Sequence, residues 1–171
     1  MIRRFAIALP AASLILLASA WVAHAQNEPL EPLSSFPRTD LTLKGGNAAH
    51  HLSVWVADTP ARRTQGLMYV RELPPDQGML FLQCCTGIWM KNTYIELDIL
   101  FIAADGRITK IAHGRPFDLS TIPSDGPADA VVELAGGTAA HLGLKAGDRA
   151  QWVRSPPAPG AAAPAKPRPG A

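Results

Sequence analysis

A single carboxyl inside an otherwise apolar run is the most informative chemical feature of the chain. In Leu97-Asp98-Ile99-Leu100-Phe101-Ile102, strand alternation puts Leu97, Ile99 and Phe101 on one face and Asp98, Leu100 and Ile102 on the other. A carboxyl enclosed by hydrocarbon must be hydrogen-bonded, ion-paired or protonated, since leaving it bare costs several kcal/mol. The nearest donors lie in the Lys91-Asn92-Thr93 bend, so the plain expectation is a turn clamp. The sharper one is a pocket acid with a raised pKa. Glu133 repeats the problem between Val132 and Leu134, sharing its face with Val131 and Ala135. Two buried strand acids could divide acid and base duties in a hydrolase-like site. Alternatively, Glu133 forms a structural ion pair with Lys91 or Arg63.

Trp89-Met90-Lys91-Asn92-Thr93-Tyr94 gathers aromatic, cationic and amide groups at a strand end and turn. That mixture suits a ligand platform, in which rings pack on a solute and polar groups orient it; it also suits a core tryptophan beside an ordinary polar turn. Met68, Met79 and Met90, with Cys84, Cys85 and the histidines, would offer soft ligands to Cu(I) if they converged. However, no Met-x-Met or His-x-x-His spacing occurs. His50-His51 falls in an expected turn, His113 and His141 are isolated, and methionines in apolar strings usually fill cores. No Gly-rich phosphate loop, nucleophile elbow or zinc signature is present. The sequence therefore assigns no metal ligand and calls for no cofactor. The adjacent cysteines leave four states open: a vicinal disulfide, free thiols, an intermolecular bridge or a soft-metal ligand. Ring strain disfavours the first.

These groups need strands to position them. Leu41 to Leu43 and Leu52, Val54 and Val56 alternate as half-buried strands, with a turn at Gly45-Gly46-Asn47 between them. Thr59 is placed to cap a short helix, Pro60 to open it and Gly66 to end it. Gly78 to Leu82 and Gly87 to Lys91 read as further strands. Leu97 to Ala103 and Arg107 to Ala112 flank Asp105-Gly106, a hairpin signal. Ala130 to Ala135 is a strand, Thr138 to Leu142 a helical turn, and Ala150 to Val153 a last strand. The expected fold is α+β, mostly antiparallel β, as a compact small barrel or sandwich with two short helices.

The ends have different chemistry. Residues 1–25 have basic Arg3 and Arg4, an apolar run from Phe5 to Val22, and Ala23-His24-Ala25. This is the pattern of a signal peptide cleaved near Ala25, and it places the product in the periplasm or outside the cell. Residues 26–38 read as an extended arm, 39–153 as a single β-rich domain, and the Pro/Ala-rich stretch 154–171 as a disordered tail. The chain has 16 basic and 14 acidic residues. Without Arg3, Arg4, Arg154, Lys166 and Arg168 the balance turns mildly acidic, which excludes the field that nucleic-acid binding requires. Membrane contact is expected only through the signal peptide before cleavage. The partner is an unspecified small molecule or envelope protein.

The ordered series Thr59-Pro60, Arg63, Gly66-Leu67-Met68, Gly78-Met79-Leu80-Phe81, Trp89-Met90-Lys91-Asn92-Thr93, Leu97-Asp98-Ile99 and Phe101-Ile102 resembles an uncharacterised bacterial and archaeal family, domain of unknown function 192. Val132-Glu133-Leu134, Gly137 and Gly147-Asp148 continue the resemblance, which spans 52–153. It implies a small, mostly β domain, often behind a signal peptide, and brings no reaction or site residue with it. The leading expectation is a periplasmic binding or accessory domain with a polar pocket framed by Trp89, Lys91, Asn92, Thr93 and Asp98. Arg63 and Glu133 are lesser members of that pocket. A hydrolase using Asp98 and Glu133, and a metal-handling protein using Met, Cys and His, are the alternatives.

Overall fold

Alternating apolar residues and short Gly- or Pro-bearing turns make strands of most of the folded chain. The computed structural model describes residues 30–46, 48–84 and 86–153. The expected signal peptide, the first part of the arm, Cys85 and the expected tail lie outside these residues. Among the described residues the order is β1 (Arg38–Gly45), β2 (Ala48–Ala57), α1 (Pro60–Gln65), β3 (Gln77–Leu82), β4 (Gly87–Ile88), β5 (Leu97–Ile102), β6 (Ile108–Gly114), β7 (Ile122–Pro123), β8 (Ala130–Ala135), α2 (Thr138–His141) and β9 (Arg149–Trp152).

A seven-stranded sheet in the order β6-β5-β8-β3-β2-β1-β9 carries the fold, and β4 pairs separately with β7. The sheet is mostly antiparallel; β2 and β3 run parallel across α1. It curls into a half-barrel whose end strands meet at a bridge between Arg107 and Arg149. The curl also brings Leu41 and Leu43 of β1 into one buried cluster with Ile108 of β6 and Ala150 of β9. This is the small α+β barrel that the pattern predicts. A second cluster covers the opposite face, where Leu67, Ile88 and Met90 join Met79, Phe81, Ile99 and Val131.

Local chemistry sets the turns. Thr59 Oγ1 accepts the Arg62 amide at 3.2 Å, Pro60 opens α1, and Gly66 closes it at φ 50°, as the residue types require. The β5–β6 hairpin turns through Ala103–Arg107, and only Gly106, at φ 84°, takes a left-handed conformation. Several sequence expectations shift. His50 and His51 lie within β2, because β1 and β2 already pair at Gly45 with Ala48. The Gly87–Lys91 strand shortens to Gly87–Ile88. The arm ends in a 3-10 turn at Leu33–Ser35, with Phe36 buried in the second cluster. Cys84 is disulfide-bonded.

The largest correction concerns Asp98. Its Oδ2 accepts the backbone N–H of Ala139 at 2.7 Å, across 41 residues of sequence, and makes no bond to the Lys91-Asn92-Thr93 bend. The reason lies in α2. Its N-cap is Gly137, at φ 84°, which supplies no side-chain acceptor. The first amides of a helix need one, and Asp98 provides it from a neighbouring strand. The bend satisfies itself: Thr93 Oγ1 donates to the Lys91 carbonyl at 3.3 Å, and Asn92 Nδ2 approaches Met68 Sδ at 3.9 Å. Asp98→Ala should lower stability by about 1–3 kcal/mol, because it strands a buried amide, while Asp98→Asn, which keeps an acceptor, should cost less. Urea denaturation with hydrogen exchange at Ala139 checks this; unchanged protection of that amide would show that the cap is idle.

A recess with a buried acid at its base

Strand β8 lies between β5 and β3 and is buried along most of its length. Its alternation sends Val132 and Leu134 into the half-barrel interior, and Val131 with Glu133 to the other face. There Glu133 sits opposite Met79 of β3 and Ile99 of β5. Asp98 belongs to the interior face, opposite Leu134. The two carboxyls therefore point to opposite sides of one sheet. No acid/base pair can form from them, and the hydrolase reading built on that pair fails on geometry.

Glu133 is one wall of a recess of about 110 Å³, which it lines with Arg63, Leu67, Phe81, Trp89, Lys91 and Thr93. The recess is graded with depth. Leu67, Phe81, Ile88 and Thr93 are buried, as is Glu133 at 5 % exposure. Trp89, at 48 % exposure, stands at the rim with the exposed Lys91, whose Nζ lies 5.2 Å from the Trp89 ring centroid. Arg63 is anchored by donating from Nη1 to the carbonyls of Asp58 at 3.0 Å and Leu82 at 3.3 Å. This leaves the rest of its fork of donors available.

The sequence-predicted residues thus divide. Trp89, Lys91, Thr93, Arg63 and Glu133 converge on the recess; Asn92 and Asp98 do not line it. Glu133, expected to be a lesser member, is its one buried charged-type side chain among the described residues, and Asp98 is the structural residue. Sequence reasoning missed the walls formed by Gly66, Leu67 and Phe81. Their signal was present in the Gly66-Leu67-Met68 turn after α1 and in the apolar run of β3, but neither shows which face carries a cavity.

Glu133 has no hydrogen-bond or ionic partner among the described residues. Burial pushes its carboxyl from an ordinary 4.5 up to about 8, because an ion there would be desolvated without a counter-charge. The backbone around the rim is held in uncommon conformations. Tyr69, Asn92 and Phe117 have φ of 63°, 54° and 61°, which cost non-glycine residues free energy and persist only where neighbours over-determine them. Here Tyr69 N donates to Asn92 O at 2.8 Å and Phe117 N to Thr93 O at 3.2 Å. The rings of Tyr69 and Phe117 flank Tyr94, with centroids 6.1 and 5.0 Å from it. Elsewhere, Met79 and Met90 are core residues. No three His, Cys, Asp or Glu side chains among the described residues are grouped as metal ligands.

A mostly antiparallel half-barrel with this recess defines a small β-rich domain of the α+β class. The chain belongs to the family of domain of unknown function 192, described as uncharacterized ACR, whose pattern matches residues 41–152. It is similar to a protein of Sinorhizobium meliloti provisionally described as a transcription regulator. That match has 41 % identity and a TM-score of 0.66, over 69 % of this chain and 95 % of the other. It is also similar to a protein of unknown function from Novosphingobium aromaticivorans, with 37 % identity and a TM-score of 0.68, over 77 % of this chain and 96 % of the other. No curated protein matches the chain.

The raised acid gives a signed pH dependence. Between about 4.5 and 8 the folded chain keeps a proton on Glu133 that the unfolded chain releases. Its contribution to stability is therefore complete below 4.5, falls as pH rises, and levels off above 8. Glu133→Gln cannot ionise. The variant should match the parent near pH 4.5 and exceed it by a few kcal/mol at pH 8, in urea melts across that range. A gap that does not widen with pH would rule out the raised acid.

Proposed function

We propose that the chain is an exported ligand-binding or accessory domain that holds a small polar solute in the Glu133 recess. One observation carries this reading. A buried carboxyl without a partner faces a cavity, whereas buried polar groups in folded proteins are ordinarily satisfied. A bound solute would supply the missing partner. The recess matches the usual anatomy of a small-molecule site: apolar walls from Leu67 and Phe81, an aromatic rim at Trp89, and a few convergent polar groups in Arg63, Lys91 and Thr93. The strained residues beside the rim support the same reading, since such conformations cluster at functional sites. Export is supported by residues 1–25, whose basic start, apolar run and Ala23-His24-Ala25 fit a cleaved signal. The description of the Sinorhizobium relative as a transcription regulator does not extend readily to this chain. Its folded part is mildly acidic and lacks the positive field that nucleic acid requires.

A screen of small polar solutes against the purified chain, followed by backbone amide shifts, tests the site. Binders should shift the amides of Arg63, Trp89, Lys91, Thr93 and Glu133 together and change Trp89 emission. Glu133→Leu, which fills the recess with hydrocarbon, should weaken binding at least about tenfold without lowering the melting temperature. Binders that shift only residues away from the recess would overturn the proposal.

A further inference from the structure

The titratable groups of the recess differ in burial, with Glu133 buried, Arg63 half-buried and Lys91 exposed, and that narrows the ligand class. Glu133 lines the recess, buried at 5 % exposure and without a partner among the described residues. On its walls and rim are two cations, Arg63 and Lys91. No other charged side chain among the described residues lines it. From the elements packed around Glu133, β3 presents Met79 and Phe81, β5 presents Ile99, and Arg62 of α1 turns away to Asp58, with Nη1 at 2.9 Å. Neither Arg63 nor Lys91 forms a salt bridge with Glu133. The cavity is thus lined by one protonated acid and two cations, with no ion pair between the acid and either cation.

We propose that the recess takes a compact zwitterion, its ammonium group on Glu133 and its carboxylate between Arg63 and Lys91. This rests on the reading that the recess is a ligand site. A simple amine would satisfy Glu133 but meet two uncompensated cations at the rim. A simple carboxylate would suit the two cations and meet the protonated Glu133 only through a neutral hydrogen bond. A neutral polyol could hydrogen-bond the protonated Glu133 but would leave the two cations unpaired. A molecule with separated charges of both signs, its cation toward Glu133, gives an ionic partner to all three groups at once. The volume of about 110 Å³ is that of roughly three or four waters in the liquid. The enclosed part therefore has few heavy atoms, the size of a small amino acid. Trp89 covers the aliphatic portion at the rim, and its contact with the Lys91 ammonium steadies that cation where the carboxylate would arrive.

The proton balance is specific to this class. Before binding, Glu133 is held protonated by burial. When an ammonium group seats on it, the carboxyl releases its proton to solvent and the two form an ion pair. Binding and deprotonation are therefore linked, and affinity should rise with pH until the acid is already ionised.

The experiment is a carboxyl-carbon NMR titration of Glu133 in the intact chain, alone and with saturating glycine, β-alanine or 4-aminobutyrate. These probes offer three charge separations. Acetate, methylammonium and glycerol are the controls. At least one zwitterion should move the Glu133 midpoint down from about 8 by about a unit or more, equivalent to a tenfold gain in affinity from acid to alkaline pH. The paired change Arg63→Gln with Lys91→Gln should remove the advantage of that zwitterion over methylammonium. If all three zwitterions leave the midpoint unchanged or raise it, the inference is overturned. If acetate or glycerol instead shifts Trp89 and Thr93 while the zwitterions do not, the inference falls and the ligand-site reading stands. Failure of the wider solute screen to reach the recess would remove both.

Discussion

Two neighbouring strands, β5 and β8, are covered on both faces, and this enclosure governs everything chemical about the molecule. Little water reaches a carboxyl on either strand, where Asp98 is 7 % and Glu133 5 % exposed. Each acid must find a protein donor or hold its proton. Asp98 finds a donor in the first turn of α2, while Glu133 finds none and holds its proton beside a cavity. Their residues share a sheet and a burial class, and they differ only in which face they occupy. That difference separates a structural cap from a candidate ligand group.

The cap shows how a weak helix is kept. α2 has only the residues Thr138–His141 and an N-cap glycine without a side chain, so its own sequence cannot satisfy its first amides. A short helix of this kind is unstable alone. Asp98 ties it to the half-barrel interior, where Ala139 joins the cluster containing Leu100 and Leu134. The Gly137 backbone, left-handed at φ 84°, lets the chain turn sharply out of β8 to reach that position. Structural satisfaction on this face leaves Asp98 no freedom to act in a site.

On the opposite face the covering layer is made of short elements and loops. Around the recess it includes Arg63 of α1 with the turn after that helix, the two-residue strand β4, and the 89–93 segment, with Phe36, Leu73 and Ile122 packed nearby on the same face. Short elements pack imperfectly over a sheet, and the recess lies where they meet. The rim is fixed by backbone bonds among strained residues rather than by regular secondary structure. A binding surface there can be shaped by side chains without disturbing the barrel, in keeping with the general division between scaffold and site.

Periodicity, capping residues and turn chemistry in the sequence determined which segments became strands and helices, because these depend on neighbours within a few residues. The Thr59-Pro60 start and Gly66 end of α1, the Asp105-Gly106 hairpin and the apolar runs of β5 and β8 are all of this kind. The sequence also marked Trp89, Lys91, Thr93, Arg63 and Glu133 as chemically unusual. It could not say which acid faced them. Asp98 is close to the Lys91-Asn92-Thr93 bend along the chain, so local reasoning joined them. Its donor in fact lies 41 residues away, and Glu133 comes to the Trp89 side only through the register of β8 with β3 and β5. A shift of one residue in that register would exchange the faces of every side chain on the strand. Strand pairing is a long-range choice made by the burial of both clusters together. Only the tertiary structure could assign one carboxyl to the helix and the other to the recess.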